Sequence, residues 1–390
     1  MLSISSQFDS GAIELVAIGS GEVGGTDANG GAEGNIDLRI RRDSHADFAQ
    51  WFHFRLQGAR GLPCTLRFLN AGMCAYPGGW EGYQVVASYD RRDWFRVPTD
   101  YADGVMTVRH TPEHDSVFYA YFEPYSWERH LAFIGRLALE SRARVERLCA
   151  SADGRDVDMV ELSGVAPGAR KVWVIARQHP GETMAEWFVE GMVERLLDRA
   201  DPVAREILRR AMVRVVPNMN PDGSVRGNLR TSATGANLNR EWMDPSAAMS
   251  PEVLAVRERL QAGGVDFFLD VHGDEVLPYV FIAGSEMLPG FTPAQAAAQA
   301  AFVADFKAAS PDFQDKFGYA AGKYSADALK LASKWVGHTF GCLSLTLEMP
   351  FKDNANMPDA RVGWSAARSK RLGAALLVPL LAHLRRRDGE

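Results

Sequence analysis

Near residue 124 the chain changes its hydrophobic period, and that change constrains its architecture more than any other feature. Before it, short apolar or alternating runs follow one another at close spacing: Ile13 to Ile18, Ile36 to Ile40, Trp51 to Leu56, Cys64 to Leu69, Tyr83 to Tyr89, Gly104 to Arg109 and Ser116 to Phe122. Glycine pairs at Gly24-Gly25 and Gly30-Gly31 read as turns between them. Many short strands joined by tight loops predict an antiparallel β-sandwich. After Pro124 the period lengthens. Trp127 to Ala150 carries Leu131, Ile134, Leu137 and Leu139 at helical spacing. Apolar strands at Lys171 to Ala176, Met212 to Val216, Val265 to Val271 and Cys342 to Leu347 then alternate with helices at Glu182 to Asp198, Glu252 to Gln261, Ala294 to Ala309 and Val362 to Leu384. Strands that are apolar throughout must be covered on both faces, so this half reads as an α/β domain with a mixed, largely parallel central sheet. The expected domains are 1–124 and 125–390.

Charge and cysteine content narrow the partners. A net charge of −6 gives no basic face for nucleic acid or an anionic membrane, so neither is expected as a partner. Cys64, Cys74, Cys149 and Cys342 form no C-x-x-C pair and are too few to scaffold 390 residues, which predicts reduced thiols. The first ten residues have neither a basic segment nor an apolar core of the secretory kind, and the most apolar stretch, Ala374 to Leu384, is too short to span a bilayer. A cytoplasmic location is expected.

In α/β sheets the functional groups sit at the carboxyl ends of strands. After Ala176 comes His179-Pro-Gly-Glu182, an imidazole and a carboxylate three apart at a strand-to-helix turn; a packed turn histidine and a helix-favouring Glu would give the same letters. After Val271 comes His272, a costly place for an imidazole unless it has a partner. Two His and one Glu around Zn²⁺, with one position left for water, make a recurrent catalytic set. After Leu347 comes Glu348, a carboxylate suited to act as general base on a metal-activated water. In the polar loops between, Arg230 could stabilise an oxyanion and the Asn239-Arg240 pair could clamp a carboxylate.

These pieces together resemble the zinc metallocarboxypeptidases, and specifically the cytosolic carboxypeptidase-like branch. The resemblance rests on His179 to Glu182, Asn220-Pro-Asp-Gly223, Gly235 to Trp242, His272-Gly273 and Thr346-Leu-Glu348, in that order, and covers most of the chain. Phe68 to Asn70, Asp93 to Arg96 and Phe118 to Tyr125 also look like the β-sandwich that precedes the catalytic domain in that branch. The resemblance implies one zinc ion held by His179, Glu182 and His272, with Glu348 as general base, Arg230 at the scissile carbonyl, and Asn239 with Arg240 on the substrate's terminal carboxylate. The substrate would be the C-terminus of a peptide or protein. Where the family often carries an acidic residue behind a zinc-ligating His, this chain has Asn237. The family's mobile tyrosine has no match at the usual offset; Tyr324 is the assignment made here, with Tyr319 the other candidate. Lys330 or Lys334 would attract an acidic terminal side chain, as in eukaryotic relatives that trim glutamates. Two alternatives share parts of the pattern: an aspartoacylase-like N-acyl amino acid amidohydrolase, which needs neither the Asn-Pro-Asp-Gly loop nor the leading sandwich, and a catalytically silent module that binds C-termini.

Overall fold

The computed structural model describes residues 1–19, 33–163, 169–286, 288, 290–320 and 325–390. Tyr324 and the Gly24-Gly25 and Gly30-Gly31 pairs lie outside these residues. The N-terminal strands are β1 (Ser3–Ser5), β2 (Glu14–Ile18), β3 (Gly34–Arg39), β4 (His53–Gln57), β5 (Cys64–Phe68), β6 (Val86–Ser88), β7 (Trp94–Arg96), β8 (Thr99–Ala102), β9 (Val105–His110) and β10 (Ser116–Ala120). They form two five-stranded sheets, β1-β4-β10-β6-β7 and β2-β3-β5-β9-β8. Alternation builds the layer between them: Phe54 and Leu56 of β4, and Leu66 and Phe68 of β5, are all buried, and the Phe54 and Phe68 rings meet at 6.1 Å. Pairing is antiparallel except between β3 and β5. The chain visits the other sheet as β4 between them, so it re-enters running the same way.

The second half comprises α1 (Trp127–Ala138), β11 (Ala143–Ala150), β12 (Asp156–Leu162), β13 (Arg170–Ala176), α2 (Met184–Leu197), α3 (Pro202–Arg210), β14 (Ala211–Val216), α4 (Pro221–Arg226), α5 (Pro251–Gly263), β15 (Phe267–Asp274), β16 (Phe281–Ala283), α6 (Pro293–Ala309), α7 (Ala332–Phe340), β17 (Leu343–Pro350), α8 (Ala366–Ala375) and α9 (Leu377–Arg387). The sheet order is β11-β12-β14-β13-β15-β17-β16, with β14, β13, β15 and β17 mutually parallel and the outer strands antiparallel. Period-two alternation along β13 sends Val172, Val174 and Ala176 into a core shared with Phe188 of α2 and Leu372 of α8. Trp173 and Ile175 go the other way, among Leu260 of α5 and Trp335 of α7. α2 and α8 touch backbone to backbone: a Cβ on Gly373 would lie 2.0 Å from the Phe188 carbonyl oxygen, and one on Gly191 2.1 Å from that of Lys370.

Two segments differ from the sequence reading. The helical spacing from Trp127 ends at Ala138, and Ala143–Ala150 is an edge strand on β12. Val145, Leu148 and Cys149 mimic helical spacing because a bulge between Arg147 and Cys149 shifts the strand's alternation. The expected helix from Val362 to Leu384 divides at Leu376, three residues before Pro379, which has no N–H to close a bond to the carbonyl of residue 375. All four cysteines are free thiols. Among the described residues no helix is long and apolar enough to cross a membrane.

Candidate metal centre and active site

The chain leaves β13 into a loop that its own side chains hold in shape. Arg177, buried and with φ of +59°, donates from Nε to the Pro180 carbonyl at 3.0 Å and from Nη1 to the Tyr125 carbonyl at 2.9 Å and to Glu186 Oε2 at 2.7 Å. Gly181 leaves room for the neighbouring loop, since a Cβ there would sit 2.9 Å from the Leu229 carbonyl oxygen. His179 and Glu182 emerge side by side, and β15 brings His272 to them.

The three side chains converge on one point. His179 Nδ1 lies 2.6 Å from Glu182 Oε1, His272 Nδ1 lies 2.7 Å from Glu182 Oε2, and the two Nδ1 atoms are 3.2 Å apart. Their outer nitrogens fix the tautomers. His179 Nε2 donates to Asn237 Oδ1 at 3.1 Å, and His272 Nε2 faces Asp270 Oδ2 at 2.8 Å. With protons on both Nε2 atoms, the two Nδ1 lone pairs and a carboxylate are directed at one point, an arrangement suited to holding a cation. Ligand atoms of all three residues fall within 4.8 Å of one another and all three are buried, so the donor set fits a zinc ion.

Proton affinities follow the same geometry. Burial opposes charge on His272, but Asp270 and Glu182 outweigh it and hold the imidazole well above its usual range. Burial, then Arg230, pushes His179 down to about 3, while the two imidazoles overcome burial at Glu182 and depress its carboxyl.

Parallel pairing of β15 and β17 sets His272 directly opposite Glu348. Glu348 is buried and raised to about 8, first by desolvation, with Glu182 and Asp274 adding repulsion and His272 opposing. Its Oε1 lies 2.9 Å from the Tyr319 hydroxyl, which lies 2.8 Å from Asp274 Oδ2. The hydroxyl has one proton and can donate to only one of them. Glu348 Oε2 has no hydrogen-bond partner among the described residues.

Arg230, Asn239, Arg240, Lys334, Tyr319 and Glu348 line the same cavity of about 340 Å³ as the three metal-binding candidates. Asn239 Oδ1 accepts from the Ala332 amide at 2.8 Å, and Arg240 Nη1 donates to the Asn239 carbonyl at 2.7 Å, which orients the pair. The Lys334 ammonium is buried without a hydrogen-bond partner among the described residues. Desolvation lowers it to about 8, with Glu286 opposing. Lys330 is half exposed, pairs with Asp327 at 2.8 Å in the same turn, and is not among the residues that line this cavity.

Sequence reasoning passed over Asp270, although its spacing of two from His272 places both on one face of β15. Tyr319 entered it only as the second tyrosine. Tyr76, which reaches the cavity from the N-terminal half, gave no local signal at all.

Residues 4–122 match the family model described as the cytosolic carboxypeptidase N-terminal domain, and residues 131–362 match the zinc carboxypeptidase model. A metallo-carboxypeptidase structure from Burkholderia cenocepacia is 57% identical and superposes with a TM-score of 0.94, covering 99% of this chain and all (100%) of that one. A Pseudomonas aeruginosa metallo-carboxypeptidase, solved in complex with (2-guanidinoethylmercapto)succinic acid, is 43% identical with a TM-score of 0.91, covering 98% of this chain and 100% of the other. Mouse cytosolic carboxypeptidase 4 is 27% identical over 65% of this chain, which spans only 27% of that longer protein.

Asp270→Asn keeps the size of the side chain but removes the charge behind His272. Zinc affinity, measured by competition with a chromogenic chelator, should fall by ~10- to 100-fold; unchanged affinity would contradict the role given to Asp270.

Proposed function

The chain belongs to the zinc carboxypeptidase family and is a metallocarboxypeptidase, and from that premise we propose that it releases single residues from the C-termini of peptides or protein tails, one zinc per chain. One observation carries the reading: a single cavity gathers three metal-binding candidates, a buried carboxylate with one oxygen lacking a hydrogen-bond partner among the described residues, and three cationic side chains. The two family matches favour the peptidase over the aspartoacylase-like alternative, and the presence of all three metal-binding candidates and Glu348 argues against a silent binding module.

Zinc held by His179, Glu182 and His272 would supply Lewis-acid polarisation of the scissile carbonyl and a lowered pKa for water. Glu348, in its ionised form, takes the proton of the attacking water and passes it to the leaving amine; its Oε2 atom, without a hydrogen-bond partner among the described residues, is the one available for this. Arg230 donates to the carbonyl oxygen as it gains negative charge. Asn239 and Arg240 grip the terminal carboxylate and so place the last peptide bond, rather than an internal one, at Glu348. We assign the mobile-tyrosine role to Tyr319, whose hydroxyl already contacts Glu348; Tyr324 is five residues further along the chain.

Lys334 supports a preference for an acidic terminal residue. A buried ammonium without a hydrogen-bond partner among the described residues has a desolvation cost that a substrate carboxylate would offset. The Pseudomonas aeruginosa relative was solved with a succinic acid derivative that carries two carboxylates and a guanidinium, which is in keeping with carboxylate binding and does not bear on the terminal side chain. We place the domain division at 124/125, between the last sandwich strand and α1. A cytoplasmic location is proposed from kinship with cytosolic carboxypeptidases.

Glu348→Gln should retain zinc and substrate affinity while kcat falls by ~10²–10⁴-fold. Turnover retained in the pure variant would contradict the general-base role. Lys334→Leu should lower kcat/KM for a Glu-terminated peptide at least ~10-fold relative to its Gln-terminated counterpart, about 1.4 kcal/mol. In the unsubstituted enzyme the preference for Glu over Gln should be full below pH 8 and fade as the pH rises through about 8, where the ammonium loses its proton. A Glu:Gln ratio that neither pH nor Lys334→Leu changes would refute this assignment.

A further inference from the structure

The loop carrying Arg230 is held from behind by the N-terminal domain. Asp43, buried in the segment after β3, accepts from three successive backbone amides: Leu229 at 2.6 Å, Arg230 at 2.8 Å and Thr231 at 2.9 Å. The Thr231 hydroxyl adds a fourth bond at 3.0 Å. Three consecutive amides can converge on one carboxylate only if the backbone curls around it, and Arg230 is the middle residue of that curl. On either side the attachment continues. Ser44 donates from its amide to Asn228 Oδ1 at 3.1 Å, and Arg41 donates to the Arg226 carbonyl. At the far end Gly235 passes so close to the His45 carbonyl that a Cβ would lie 2.5 Å from its oxygen.

The guanidinium is confined from the same domain. Its carbon lies 5.7 Å from the Phe48 ring centre and 5.6 Å from that of Tyr76, distances at which aromatic faces attract a cation. On its other side the loop rests on the metal-binding turn, where the Gly181 amide donates to the Leu229 carbonyl at 2.8 Å. Arg230 is thus fixed between two domains. Both its backbone and its side chain contact residues of the first.

We propose that Asp43, with Phe48, positions Arg230 for the oxyanion, so that the N-terminal domain completes the catalytic site rather than merely covering it. This rests on the role given to Arg230 above. An oxyanion donor displaced by ~1 Å forfeits about 10²-fold in rate. The loss falls on kcat, because Arg230 engages the carbonyl most strongly in the transition state.

The test is a double-mutant cycle on the zinc-loaded full chain with a peptide substrate, combining Asp43→Asn with Arg230→Ala. Asp43→Asn presents an NH₂ where an oxygen accepted backbone N–H groups. Expected is a ~10- to 100-fold loss of kcat with KM and zinc content within about twofold, and less than a threefold further loss when the same change is made in the Arg230→Ala protein. Equal losses in both backgrounds, or an unchanged kcat in Asp43→Asn alone, would overturn the proposal while leaving Arg230 in place. Normal turnover by Arg230→Ala would instead remove the role of Arg230, and that of Asp43 with it. Should Asp43→Asn fail to fold, Phe48→Leu, at a half-buried position, runs the same cycle: a kcat loss that vanishes in the Arg230→Ala background supports the proposal, and an independent loss or none overturns it.

Discussion

Two imidazole lone pairs and a carboxylate cannot be held face to face in a buried site unless something compensates them, and much of the architecture serves that requirement. His179, Glu182 and His272 approach within 2.6 to 3.2 Å. Each imidazole is locked by an acceptor behind it, Asn237 for one and Asp270 for the other, so that both present Nδ1 inward. The approach also demands a rigid turn, which Arg177 supplies by tying Pro180 to Tyr125 and Glu186. Strand register then brings Glu348 alongside without any further device, because β15 and β17 are neighbours.

Around this centre charges of both signs line one cavity. The anionic groups, Glu348, Asp274 and Glu182, lie toward the strand ends, and Glu348 gains proton affinity from their proximity and its burial. The cations Arg230, Arg240 and Lys334 line the same cavity. On the proposed reading, a substrate carrying a terminal carboxylate and an acidic side chain would meet cations for both. Selectivity for chain ends would then be electrostatic in origin. The first domain enters this arrangement through Asp43, Phe48 and Tyr76, which together fix one of the three cations.

Much of the site was legible because strand ends in an open α/β sheet are where side chains converge, and His179, His272 and Glu348 each stand at or just beyond one. What failed to appear in the sequence depends on register or distance. The bulge in β11 disguised a strand as a helix, since Val145, Leu148 and Cys149 keep helical spacing across it. Lys330 and Lys334 look equivalent along the chain, yet the first lies in the turn before α7 and pairs with Asp327, while the second lies within α7 and its ammonium is buried. Asp43 is separated from Arg230 by 187 positions, and no local pattern links them.

The most direct test of the account is a pair of peptides identical except that one ends in a free carboxylate and the other in a carboxamide, incubated with zinc-loaded protein and followed by mass spectrometry. Stepwise loss of single residues from the free acid alone is the expected result, because Asn239 and Arg240 have a charged partner only there. Cleavage of both peptides at equal rates, or cuts at internal bonds, would contradict a site built around the terminal carboxylate.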